Sequence, residues 1–65
     1  MANEGKSQLR RYEIRLLSAG QEALVFVIAK FTDDEAAEHA RTLLQRHSDR
    51  DRAELWRGKE LVRQV

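Results

Sequence analysis

The sequence predicts an α+β domain of order ββαββ: a four-stranded, mainly antiparallel sheet with one helix packed on one face. Three observations predict it. Leu9 to Leu17 alternates apolar and polar residues, Thr32 to His47 is the only stretch with apolar residues at helical spacing, and Gly20 and Gly58 each interrupt two strand-like runs.

In Leu9–Leu17, Tyr12, Ile14 and Leu16 share one face and Arg11, Glu13 and Arg15 the other, the pattern of a half-buried strand. Gly20 can take the positive φ of a tight turn at Ala19-Gly20. The next run, Ala23 to Phe31, is apolar on both faces, so alternation alone does not orient it. A two-residue turn would pair Leu16 with Ala23, Ile14 with Val25 and Tyr12 with Val27. That register places Val25, Val27, Ala29 and Phe31 in the core, with Phe31 stapled onto Ala36, and leaves Leu24, Phe26 and Ile28 outside with Lys30. A slip of one residue, or a longer turn, reverses the assignment.

Thr32-Asp33-Asp34-Glu35 fits a capping box, with Thr32 as N-cap and Glu35 reaching back to the cap. The acidic first turn suits the positive end of the helix dipole. Ala36, Ala37, Ala40, Leu43, Leu44 and His47 fall in one stripe, so the helix should lie closest to the sheet at its alanine end. Leu43 and Leu44 are expected to supply most of its burial. Ser48 to Arg52 reads as a polar loop. Ala53 to Trp56 and Leu61 to Val65 form a second hairpin around Gly58-Lys59, pairing Trp56 with Leu61 and Leu55 with Val62. Which pair faces the helix is open.

The 65 residues are expected to make one domain, with residues 1–8 expected to be a flexible polar tail and 9–65 the ββαββ unit. A chain this short buries only about 60 % of its unfolded surface, so a partner subunit is a natural supplement to its core. Cysteine is absent, which removes disulfides and thiolate chemistry and suits the reducing cytoplasm, the expected location. The opening M-A-N-E-G-K-S-Q has no apolar h-region and is not expected to be a signal peptide. No run approaches the roughly 18 apolar residues of a membrane span. Twelve basic and eleven acidic side chains give a net charge of +1, too balanced for a chain that binds polyanions all over.

These elements resemble a group of short proteins found mainly in alphaproteobacteria. The group shares a tyrosine-bearing first strand, a D-D-x-A-A helix start and a C-terminal L-W-x-G-x-x-L-V hairpin. Here those are Tyr12, Asp33 to Ala37, and Leu55 to Val62. The resemblance covers nearly the whole chain after the tail and implies the fold without an activity. This chain departs from the group in its second strand, where the outer positions are more often polar.

One helix covers only one face of four strands, so function is sought on the other. Leu24, Phe26 and Ile28 on that face would form an apolar patch, the mark of an interface with a second copy or another protein. Alternatively, Arg11, Arg15, Phe26 and Trp56 would form a stacking platform for single-stranded nucleic acid. Against the platform stand Glu13, Glu54 and the small net charge. A lone tryptophan in a hairpin is also more often core than ligand contact. Glu35 and His39, one helical turn apart, could be an acid-base couple or half a metal site, yet such pairs are common helix decoration. No catalytic residue, metal, cofactor or small-molecule substrate is therefore expected, and the leading expectation is a homodimeric interaction module that associates through the helix-free sheet face or through an edge strand.

Overall fold

A computed structural model describes residues 8–65. The expected tail over residues 1–8 falls almost entirely outside them. Among the described residues, strands β1 (Arg10–Leu17), β2 (Leu24–Lys30), β3 (Arg52–Arg57) and β4 (Glu60–Gln64) flank one helix, α1 (Asp33–Arg46). The strands form one antiparallel sheet in the order β2-β1-β3-β4, so β2 and β4 are its edges. This is the ββαββ α+β architecture. The helix is not long and apolar enough to cross a membrane.

The alternation of β1 places Tyr12, Ile14 and Leu16 under the helix, each at most 1 % exposed. Ala53 and Leu55 of β3 join them, and Ala36, Ala37 and Ala40 close the core from above. Ile14, Leu16 and Leu55 each contribute about 1.5–3 kcal/mol of apolar burial. The alanines are the helix's fully buried residues, whereas Leu43 and Leu44 are half-buried. Complete burial on the helix thus belongs to its alanines, with the larger Leu43 and Leu44 packed partly buried against the same core.

The caps follow the sequence closely. Thr32 has an extended backbone, and its Oγ1 accepts from the Glu35 N–H at 3.1 Å. Glu35 returns the contact one residue earlier than expected, its carboxylate accepting from the Phe31 N–H at 3.1 Å. His47 caps the other end, its N–H donating to the Leu44 carbonyl at 3.1 Å.

The register of β2 differs from the expectation. Leu16 pairs with Leu24, Ile14 with Phe26 and Tyr12 with Ile28. The connection is a longer loop from Ser18 to Ala23, in which Gly20 has φ +79° and the Gln21 N–H donates to the Ser18 carbonyl at 3.2 Å. A shift of one residue turns every side chain of a strand to the other face. Leu24, Phe26 and Ile28 therefore pack against the core, and Val25, Val27 and Ala29 face away from the helix. The physical reason is size: leucine, phenylalanine and isoleucine remove more apolar surface from water than two valines and an alanine. Lys30 does share the face of Leu24, Phe26 and Ile28, but at the strand's end its long stem can carry the ammonium past the helix to water. Phe31, expected in the core, is 45 % exposed.

The second hairpin turns at Gly58, φ +62°, and pairs Trp56 with Leu61 as expected. Leu55 sits opposite Arg63, however, because a bulge interrupts the β3–β4 register between Leu55 and Trp56. Leu55 faces the helix and Val62 packs at the core's margin. Trp56 lies on the helix-free side.

Candidate interaction surface

The antiparallel registers assemble one continuous helix-free face. Arg11, Glu13 and Arg15 come from β1, Val25, Val27 and Ala29 from β2, and Glu54 and Trp56 from β3. Leu61 of β4 extends the row beside Trp56. The apolar part of this face is Val25 at 54 % exposed, Val27 at 64 % and Leu61 at 42 %.

Between these residues lies a linked polar set. The Arg15 guanidinium stacks 4.4 Å from the Trp56 ring centroid and donates to the Glu13 carboxylate at 2.6 Å. The Trp56 indole N–H donates to Glu54 Oε1 at 3.0 Å. An arginine over a tryptophan face is attracted by the ring quadrupole, and here the two adjacent carboxylates also hold its charge and the indole in place. Arg11 and Arg15 thus lie on the helix-free face as the sequence predicts, Trp56, whose facing the sequence leaves open, lies there with them, and Phe26 does not. Phe26 lies on the opposite face, its ring centroid 5.8 Å from that of His47. Leu24 and Ile28 leave the patch with it. The sequence carried one signal for their replacements: of two apolar sets on a strand, the bulkier belongs under the helix, which exposes Val25 and Val27.

The two sheet edges differ in their protection. β4 is short, bulged against β3 and carries Glu60 and Arg63. Those are the usual devices that discourage a foreign strand. β2 pairs with β1 without a shift over its whole length, is apolar except for Lys30, and has no proline or bulge. Among the described residues no strand pairs with its outer side, so its outer N–H and C=O groups form a template for another strand.

At the other end of the helix a cluster missed by the sequence reading ties α1 to the sheet. The Tyr12 hydroxyl donates to Asp33 Oδ1 at 2.5 Å, and Arg57 Nη1 donates to the same oxygen at 3.0 Å. Arg10 lies 3.7 Å from it. The Tyr12 hydrogen bond, followed by the charges of Arg57 and Arg10, holds the Asp33 carboxyl below its ordinary range against the opposing effect of burial. Asp34 pairs with Arg63 of β4 at 3.0 Å. The partners of both aspartates lie on distant strands, so sequence spacing gave only their role in the first helical turn.

A groove of about 730 Å³ opens between α1 and the Lys30 end of β2, with Leu9, Phe31, Glu35, His39, Leu43 and Arg46 along it. It brings Glu35 and His39 to one wall. Glu35 is already committed to the Phe31 N–H, which makes it part of the cap. Among the described residues no group of three or more His, Cys, Asp or Glu side chains is placed to hold a metal ion. No protein-family model matches the chain, and neither the curated proteins nor the solved structures searched gave a match.

Proposed function

We propose that this chain is a small protein-interaction module that self-associates through β2, using the strand's open edge and the valines beside it. The observation that carries the reading is the exposure of Val25 and Val27 on an unguarded edge strand. Neighbouring exposed apolar residues usually mark interfaces. A second copy would bury surface that so short a chain leaves wet. The absence of cysteine supports a place in the reducing cytoplasm. No catalytic role is assigned to any residue.

Sedimentation velocity at micromolar concentration tests the reading. The wild type is expected to sediment as a dimer, and Val27→Lys as a folded monomer with an unchanged circular dichroism spectrum. A wild type that stays monomeric throughout overturns the reading.

A second reading, single-stranded nucleic-acid binding, draws support from the meeting of Arg11, Arg15 and Trp56 on one face. Glu13 and Glu54 lie among them and reduce the positive potential that a phosphate backbone requires. Titration with labelled single-stranded oligonucleotides at two salt concentrations decides. Phosphate contacts are strongest at low salt, so no binding there removes this reading.

A further inference from the structure

Residues 22–30 read E-A-L-V-F-V-I-A-K, which is nearly a palindrome in chemical character about Phe26. Val25 mirrors Val27, Leu24 mirrors Ile28 and Ala23 mirrors Ala29. At the two ends Glu22 mirrors Lys30, the opposite charge. A two-fold contact requires this kind of self-complementarity, because each residue of one copy meets its mirror position in the other.

We infer that β2 pairs antiparallel with β2 of a second copy about a two-fold axis at Phe26, joining two four-stranded sheets into one. The inference rests on the self-association proposed above and fixes its geometry. Three observations meet in it. β2 is an edge strand, so its outward backbone groups are open to a partner, while β4 is bulged and charged. Within the strand, Leu24, Phe26 and Ile28 alternate with Val25, Val27 and Ala29 between the two faces, and Glu22 and Ala23 extend the mirror into the end of the preceding loop. On the helix side Phe26 meets Phe26 of the second copy and Leu24 meets Ile28, extending the apolar layer under each helix. On the helix-free side Val25 meets Val27 and Ala23 meets Ala29, so both valines become cross-strand pairs. Finally, the charges close the register at both ends, where Glu22 of each copy stands opposite Lys30 of the other. A shift of one or two residues either way loses this match and brings Lys30 opposite Gln21, Gly20, Ala23 or Leu24. The Glu22 backbone is already anchored beside the strand, its carbonyl accepting from Arg50 Nη1 at 2.6 Å.

Two experiments read this register. The chain has no cysteine, so introduced thiols report contacts alone. Ala23 and Ala29 are both exposed. The axis places position 23 opposite position 29 of the second copy, at a Cα separation of about 4.5–5.5 Å that a disulfide spans. Each position lies about 20 Å from its own counterpart, six residues along the strand. Mixed and oxidised, Ala23→Cys and Ala29→Cys chains should give a covalent heterodimer, and each variant alone should give none. In the second experiment, Lys30→Glu should weaken dimerisation about tenfold, since two ion pairs become repulsions. Adding Glu22→Lys to it should restore the affinity. A wild type that dimerises without the mixed disulfide, or without rescue by the double reversal, overturns this register and leaves self-association standing. A monomeric wild type overturns both.

Discussion

Substituting Phe26 and Val27 separately tests which face of β2 packs under the helix. Phe26 is half-buried against the core and meets the His47 ring at 5.8 Å, whereas Val27 is 64 % exposed. A fully buried phenylalanine loses about 3–5 kcal/mol on truncation to alanine. Because Phe26 is only partly buried, Phe26→Ala should fall below that range, at about 2 kcal/mol. Val27→Ala removes surface that water already reaches and should stay within about 0.5 kcal/mol. For a domain of this size the urea slope is about 1 kcal/mol/M, so Phe26→Ala should lower the unfolding midpoint by about 2 M. Fluorescence of Trp56, the single tryptophan, follows unfolding at concentrations low enough to suppress association. A larger loss for Val27→Ala than for Phe26→Ala would refute the assigned register and restore the opposite facing of β2.

Two further outcomes follow from the cluster and cap at the helix start. The Asp33 carboxyl is held below its ordinary value, chiefly by Tyr12. Its contribution is therefore complete above that ordinary value and is lost as pH falls through the lower folded value. Tyr12→Phe should raise the Asp33 pKa, read from its carboxyl-carbon chemical shift, and lower stability at neutral pH by about 1.5–3 kcal/mol; an unchanged Asp33 titration would contradict this. Thr32→Ala removes the acceptor for the Glu35 N–H and should cost about 1 kcal/mol, a fall in Tm of about 4–8 °C by circular dichroism.

Much of the fold was legible because several of its elements carry a signal that only one structure satisfies. Tyr12, Ile14 and Leu16 alternate with charged residues, so only one face of β1 can be buried. Thr32 and Glu35 mark the helix start through their own hydrogen-bonding chemistry, and Gly58 marks a turn that needs positive φ. β2 lacked such a signal, because Leu24 to Ala29 is apolar on both faces and its facing depends on the length of the preceding loop. Gly20 indicated a turn there without setting how many residues it spans. Lys30 misled for a physical reason, since a long side chain at a strand's end reaches water from either face. The helix-free face was legible as a place, along with Arg11 and Arg15 on it, whereas the facing of Trp56 was open because its hairpin carries apolar residues on both faces. The apolar members of that face were not legible: they are Val25 and Val27, with Leu61, in place of Leu24, Phe26 and Ile28. The Tyr12–Asp33–Arg57 contact depends on three elements meeting in space, which local spacing does not encode.

Amide hydrogen exchange measured as a function of protein concentration tests the role of β2 most directly. Antiparallel pairing with a second copy covers the outward amides of β2 and leaves those of β4 open to water. Protection along Leu24–Lys30 should therefore rise with concentration while that along Glu60–Gln64 stays constant. Protection of β2 that does not change with concentration, or that rises instead along β4, would contradict the assignment of β2 as the contact strand.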